Sequence, residues 1–281
     1  MTTPKIIHTV SELRAAIADW RGGGARIGLV PTMGALHDGH LSLIQAIGKY
    51  ADRIVVSIFV NPAQFAPHED FDSYPRNLDG DCAKLAGTDA GIVFAPTVRE
   101  MYPDGFATRL LVGGPAEGLE SDHRPHFFGG VATIVSKLLI AAMPDAAMFG
   151  EKDYQQLLVI RRMVTDLALP IAIPGGAIMR EADGLAMSSR NAYLSQSERA
   201  IAGQLNVVLK TAIARLKAGD AIGAVEAQAR DALLKAGFAN VDYVAVRDAQ
   251  TLAKIDDLSK PARILAAAKV GTTRLIDNMA V

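Results

Sequence analysis

Ile54-Val55-Val56-Ser57-Ile58-Phe59-Val60 is an almost unbroken apolar run. A strand with one wet face alternates apolar and polar residues, whereas a strand covered on both faces does not. The run therefore reads as an interior strand of a parallel sheet. Upstream, Ile27-Gly28-Leu29-Val30 reads as a second short buried strand. A loop is expected over Pro31 to Leu36 and a helix over about 39–50. Earlier still, Val10, Leu13, Ile17 and Trp20 recur at helical spacing over 10–21, with Ser11 as the expected N-cap. Gly22-Gly23-Gly24 closes that helix as a turn. Downstream, strands are expected at Ile92–Phe94, Leu110–Val112 and Ala146–Phe149, with helices at about 77–87, 129–142 and 153–168. Strand–helix alternation of this kind predicts a doubly wound α/β sheet.

The texture changes near residue 180. Ser195-x-x-Glu198 is a capping box opening a helix to about Lys217, and a second helix is expected over about 221–236. Two strands follow, near Val241–Val246 and Arg263–Val270. The reading is a Rossmann-like doubly wound parallel sheet over 1–180. A second, smaller α+β domain covers 181–281, joined at roughly 176–190. No internal repeat or low-complexity segment is visible.

Composition narrows the function classes. Of 281 residues, 50% are hydrophobic and 21% charged, which excludes intrinsic disorder. A chain of this length buries about three quarters of its unfolded surface. The apolar excess suggests a subunit interface besides. With 29 Lys+Arg against 30 Asp+Glu, the net charge is −1, and no basic stripe marks a nucleic-acid binder. Cys82 is the only cysteine, so no disulfide forms within the chain and no zinc-type spacing exists. The N-terminus lacks a secretory pattern. The apolar stretch Leu167–Met179 is short and broken by Pro170 and Pro174. A cytoplasmic protein without a membrane span is expected. There is no G-x-G-x-x-G after a strand, no P-loop, no H-E-x-x-H and no G-x-S-x-G.

What remains is Pro31-Thr32-Met33-Gly34-Ala35-Leu36-His37-Asp38-Gly39-His40, where a strand gives way to a helix. Free N–H groups and the positive dipole end of a helix N-terminus attract phosphate. His37 and His40, three apart, face the same way, and Gly34 and Gly39 let a ligand approach the backbone. The stretch reads as a triphosphate cradle with two imidazole donors. For the histidine pair alone, a polar surface loop would be the better reading; the strand–Gly–His-x-Gly-His–helix context reverses that. Asn61-Pro62-Ala63-Gln64-Phe65 follows the buried strand, where ligands of open α/β sheets bind. Gln64 offers a donor and an acceptor suited to a small hydroxy acid, although Asn61-Pro62 also fits a plain turn. Gly150-Glu151-Lys152-Asp153 opens a helix with a cation where the dipole disfavours one. A ligand phosphate would compensate Lys152, and a solvated lysine fits this segment equally well. Gln156 lies nearly one turn beyond Asp153 and faces the same way. Ser188-Ser189-Arg190 suits phosphate oxygens, and it also reads as a domain linker.

These words carry a resemblance. The His37–His40 segment resembles the HIGH signature of nucleotidylyl transferases and class I aminoacyl-tRNA synthetases. Val30-Pro-Thr-Met-Gly-Ala-Leu-His37, Phe59-Val-Asn-Pro-Ala-Gln-Phe65, Phe149-Gly-Glu-Lys-Asp-Tyr-Gln-Gln156 and Met187-Ser-Ser-Arg-Asn191, in this order, resemble the narrower pantoate–β-alanine ligase family. The likeness runs from about residue 5 to the C-terminus. It implies ATP on Pro31, Thr32, Met33, Gly34, Ala35, Leu36, His37, Asp38, Gly39 and His40. It adds Gly150, Glu151, Lys152 and Asp153, the backbone of Met179, and Met187, Ser188, Ser189 and Arg190, which resemble the KMSKS-type second signature. His40, His37 and Lys152 are implied as the catalytic donors. Gln64, Asn61 and Gln156 are implied for pantoate and β-alanine, and Arg124 for a phosphate or carboxylate. Asp81 is implied, with a neighbouring acid, as a holder of Mg²⁺, though Gly80 stands where many relatives carry that acid.

Arg124-Pro125-His126-Phe127-Phe128-Gly129-Gly130-Val131 departs from the family's Arg-Pro-Gly-His-Phe-x-Gly-Val, which leaves His126 without an assigned role. His68 and His123 are expected at the surface. The implied reaction is ATP-dependent condensation of (R)-pantoate with β-alanine through pantoyl adenylate, releasing pyrophosphate and AMP, in a homodimer. Cys82 stands away from every motif and offers no covalent carrier. Another adenylyl- or cytidylyltransferase would share the histidines but not the Gln64/Gln156 frame. A non-catalytic nucleotide sensor would not need both histidines and Lys152.

Overall fold

Residues 3–65, 71–72 and 74–281 are described by the computed structural model; His68 lies outside them. Along the first half of the chain, strands and helices alternate. β1 (Lys5–Ile7) leads to α1 (Val10–Gly22), and β2 (Ile27–Thr32) to α2 (Asp38–Ile47). β3 (Arg53–Ile58) leads to α3 (Leu78–Leu85), and β4 (Ala90–Phe94) to the short helix α4 (Val98–Met101). Then come α5 (Glu120–His123), α6 (Phe127–Ala142), β5 (Ala146–Ala147), β6 (Phe149–Gly150), α7 (Tyr154–Asp166) and β7 (Gly175–Gly176). Five strands form one parallel sheet in the order β1-β4-β3-β2-β5. From β2 the chain moves through β3 and β4 on one side, while β5 adds on the other. The C-terminal end of β2 is therefore a topological switch point, where open α/β sheets bind ligands.

Helices cover both faces. α1, α6 and α7 pack on one face and α2 and α3 on the other, in two separate apolar clusters. This double cover explains why Ile27–Val30 and Ile54–Ser57 are buried without alternation. In α6, twelve of sixteen residues are buried, as expected of a helix apolar all round. The last third holds α8 (Gln196–Ala202), α9 (Gln204–Lys217), α10 (Ile222–Lys235), β8 (Asn240–Asp248), β9 (Ala262–Val270) and β10 (Thr273–Ala280). Its strands form an antiparallel sheet, β10-β9-β8, around an apolar cluster of its own. The doubly wound sheet with a smaller α+β unit stands as read from the sequence. Among the described residues no helix is long and apolar enough to cross a membrane.

Several elements differ. The N-cap of α1 is Thr9, not Ser11: Thr9 Oγ1 accepts from Glu12 N, and the Glu12 carboxylate accepts from Thr9 N. Pro31 and Thr32 belong to β2 rather than to the loop, and α2 ends at Ile47. The expected strand at Leu110–Val112 is absent. Leu110 N donates to Thr133 Oγ1 on α6 at 3.0 Å, and the side chain of Leu111 is 86% exposed. The strand expected at 146–149 divides, because β5 pairs with β2 and β6 with β7. The helix opened by Ser195 breaks at Gly203. β1 and β10 escape the sequence reading: the first has three residues, and the second buries Asp277 and Asn278 in place of apolar side chains.

α6 meets the chain after β3 through a glycine. A Cβ on Gly130 would lie 2.2 Å from the Ala63 carbonyl oxygen, a backbone atom that cannot swing away. Gly130→Ala is therefore expected to destabilise the fold by about 1–3 kcal/mol. Thermal unfolding checks this, and an unchanged Tm contradicts the packing.

Candidate active site

The turn between β2 and α2 is shaped from behind. Gly34 and Ala35 both take positive φ, +83° and +50°, which turns their peptide groups toward α3. There the carboxylate of Asp81, 2% exposed, accepts from Ala35 N at 2.9 Å and from Leu36 N at 2.8 Å. Lys84, one turn along, donates to Leu36 O at 2.6 Å. Thr32 Oγ1 donates to Ser57 O and accepts from Gly34 N, tying the turn to β3. Asp81 is thus a brace for the loop. Both its oxygens accept backbone N–H groups and it does not line the cavity described below, so its visible task is to hold the turn rather than to meet a metal.

So held, the chain enters α2 with His37 as N-cap. His37 Nδ1 accepts from Gly39 N at 3.1 Å, and His40 Nδ1 accepts from His37 N at 3.2 Å. A backbone N–H only donates, so both Nδ1 atoms are unprotonated. Each neutral ring therefore carries its proton on Nε2. The ring centroids are 4.1 Å apart. Burial, then the neighbouring His37, Lys152 and Lys84, push the His40 ring down to about 3. Burial, then Lys152, lower His37 as well. At neutral pH the pair is two uncharged N–H donors.

Both rings line a cavity of about 1030 Å³ between the ends of the parallel strands and the C-terminal sheet. Pro31, Thr32, Met33, Gly39, Gln64, Arg124, Gly150, Lys152, Asp153, Gln156, Met179, Met187, Ser188, Ser189 and Arg190 line it too. Gly34, Ala35, Leu36, Asp38, Glu151 and Asn61 do not. The first three carry the turn. Glu151 pairs with Arg263 at 3.1 Å, while its carbonyl and that of Lys152 accept from Asn278 Nδ2. Asn61 is wholly buried and donates to Gln64 Oε1 at 2.9 Å. Lys152 Nζ stands 4.0 Å from its neighbour Asp153. Arg124 donates to Gln64 O at 3.1 Å and stacks on Phe127. Ser188 caps a 3-10 turn over Ser189–Tyr193, and Ser189 Oγ lies 3.4 Å from the Tyr74 hydroxyl. Met187 N donates to Met179 O, which closes the base of that loop.

His123 is exposed as expected and also lines the cavity, with its Nδ1 4.0 Å from Asp242. His126 is exposed at the start of α6 and caps nothing with its side chain. The sequence reading missed a buried charged group on the cavity wall. Glu120 accepts from Arg274 through both oxygens at 2.8 Å and from the Tyr243 hydroxyl at 2.7 Å, while Arg274 also reaches Asp242 at 2.7 Å. Gln155, beside Gln156, holds Glu120 N and the carbonyls of Pro115 and Gly118. Glu120 and its partners Tyr243 and Arg274 lie more than a hundred positions apart in sequence, and no local pattern joins them.

The family described as pantoate-β-alanine ligase matches residues 5–280. The chain belongs to that family. A curated pantoate–β-alanine ligase relative, the pantothenate synthetase of Mesorhizobium japonicum, is 55% identical over 281 residues, covering 100% of this chain and 99% of that protein. The Caulobacter vibrioides pantothenate synthetase is 51% identical over 284 residues, covering both chains in full. The crystal structure of pantothenate synthetase from Thermus thermophilus is similar with a TM-score of 0.92 at 43% identity, over 98% of each chain. That of pantoate-β-alanine ligase from Francisella tularensis, complexed with β-γ ATP and β-alanine, has a TM-score of 0.83 at 32% identity, over 99% of this chain and 97% of that one.

The histidine geometry has a direct readout. Long-range ¹H–¹⁵N correlation spectra are expected to show both rings as Nε2–H tautomers at pH 7, with His40 neutral down to about pH 3. Its folded value lies below the unfolded 6.5, so the unfolded chain binds the extra proton and stability falls as pH drops from about 6.5 toward about 3. A His40 ring titrating at or above 6.5 contradicts the assignment.

Proposed function

We propose that this pantoate–β-alanine ligase activates pantoate and joins it to β-alanine inside the one cavity just described. A carboxylate is a poor acceptor for an amine until it is activated. The pantoate carboxylate attacks the α-phosphorus of ATP, and the bond to pyrophosphate breaks. The β-alanine amine then attacks the acyl carbon of pantoyl adenylate, AMP leaves with the former carboxylate oxygen, and the amine proton goes to solvent. No protein nucleophile takes part; positioning and charge stabilisation carry the chemistry.

The observation that carries this reading is the convergence of three phosphate-directed groups on one cavity. The His37/His40 donors at the start of α2, Lys152, and the Ser188–Arg190 loop all line it. In this reading the histidines donate through Nε2 to the triphosphate without adding charge. Lys152, Ser188, Ser189 and Arg190 clamp the phosphates, and Met179 and Met187 flank the adenine. Gln64 and Gln156 grip pantoate, and Arg124 meets its carboxylate or a phosphate. Mg²⁺ enters as part of MgATP, where it neutralises phosphate charge. Among the described residues no group of three or more His, Cys, Asp or Glu could hold a metal ion, which suits an ion that arrives on the phosphates.

Residues 1–180 act in this reading as the catalytic unit and 181–281 as its lid, with Ser188–Arg190 at the junction. The chain is read as a cytoplasmic homodimer. The exposed Leu111 supports a partner surface, and the lone buried Cys82 suits a reducing compartment.

With pantoate and MgATP but without β-alanine, labelled pyrophosphate is expected to exchange into ATP. Arg190→Ala should reduce that exchange, and His40→Ala should slow it by roughly 10²–10³. Exchange that requires β-alanine would favour a single concerted step and overturn the scheme.

A further inference from the structure

Gln64 is useful to an oxygen-rich ligand only if one particular end of its amide faces the cavity. Two backbone groups decide which. Ala63 N donates to one side-chain atom of Asn61, at 3.3 Å, and a backbone N–H cannot bond to an NH₂ group. That atom is therefore Oδ1. The other faces Gly130 O at 3.2 Å, and a carbonyl only accepts, so it is Nδ2. The Asn61 amide has one allowed orientation, set from both sides by backbone. Its Nδ2 donates to Gln64 at 2.9 Å, which makes the receiving atom Oε1. The end of Gln64 left for the cavity it lines is the Nε2 amino group.

One more side chain enters this relay. The Tyr102 hydroxyl lies 2.7 Å from Asn61 Oδ1 and donates to it. Tyr102 does not line the cavity. Its ring packs edge-on to Phe106, with centroids 5.1 Å apart, and against Phe59. Burial pushes its phenol up to about 12, which keeps the proton on the oxygen that must donate. A tyrosine forty-one positions from Asn61 thus pulls on the acceptor side of an amide whose donor side holds Gln64.

We infer that Tyr102 is a positioning residue: through Asn61 it holds the Gln64 amide with its amino group toward the cavity, as an N–H donor for an oxygen of the acid substrate. The inference rests on Gln64 gripping pantoate, as proposed above. It deepens that reading by assigning the polarity of the contact. An amino end suits a carboxylate or hydroxyl oxygen, whereas the carbonyl end would repel a carboxylate.

The test is a double-mutant cycle on steady-state kinetics with pantoate and ATP varied separately. Tyr102→Phe is expected to raise the KM for pantoate by a factor of roughly 3–10, as for one hydrogen bond weakened in a relay, with the KM for ATP unchanged. Asn61→Asp, which has no donor for Gln64 Oε1 and invites the amide to flip, is expected to raise it further. In a Gln64→Ala background neither substitution should change the pantoate KM by more than about twofold, since the group they orient is gone. A structural defect would act equally in both backgrounds, and equal factors therefore overturn the relay. So does an unchanged pantoate KM in folded Tyr102→Phe. If Gln64→Ala itself leaves the pantoate KM unaltered, the grip is wrong and the relay falls with it.

Discussion

Two backbone N–H groups, those of Ala35 and Leu36, end on one buried carboxylate, Asp81. Remove it and both donors are stranded away from water, at a cost of about 1–3 kcal/mol each. More follows than stability. The positive φ at Gly34 and Ala35 is tolerated because those two bonds hold it. The sharp turn they permit lets the chain leave β2 and start α2 within six residues, with His37 at the cap. From there the geometry passes along the chain. Gly39 N sets the tautomer of His37, and His37 N sets that of His40. A carboxylate that never reaches the cavity thereby decides which imidazole nitrogens do.

The opposite wall is held by the C-terminal strands. Asn278 on β10 reaches out of its own sheet, and its Nδ2 donates to the carbonyls of Glu151 and Lys152. Arg180, near the junction, makes a two-pronged pair with the buried Asp277 next door. Arg274 on the same strand grips Glu120 on α5. β10 thus braces the lysine loop and the far rim of the cavity at once. A site that must keep water from a reactive acyl phosphate gains from such a wall. In the proposed reading the phosphate end meets donors that carry no charge of their own. Burial and the nearby Lys152 keep both rings, 4.1 Å apart, in that uncharged form, since two protonated histidines there would repel each other and the lysine.

The fold was legible where burial is symmetric. Ile54–Ile58 and Ile27–Val30 lack alternation because helices lie on both sides, and that pattern places them inside a parallel sheet, which the run's last two residues, Phe59 and Val60, overshoot. Ser195 and Glu198 form the capping box their spacing announces. What escaped depends on distant partners. An acid at position 81 looks the same in sequence whether it aims at a metal or at two amides. Asn61 sits beside Gln64 in the chain yet works from behind it, through Gly130 and Tyr102. Glu120, Asp242 and Arg274 meet only once three separate elements have folded. β10 hides because its buried positions include Asp277 and Asn278, whose burial is offset by bonds to Arg180 and to the lysine loop. Leu110–Val112 has strand-like residues, but its leading amide goes to Thr133 instead of a neighbouring strand.

In the proposed reaction the pantoate carboxylate attacks phosphorus directly inside one cavity, with no group on the protein carrying the acid between steps. Oxygen labelling follows that transfer atom by atom. With pantoate labelled in its carboxylate with ¹⁸O, full turnover with MgATP and β-alanine is expected to yield AMP containing one ¹⁸O atom and unlabelled pyrophosphate. AMP without label, or label in the pyrophosphate, would contradict attack of the carboxylate on the α-phosphorus.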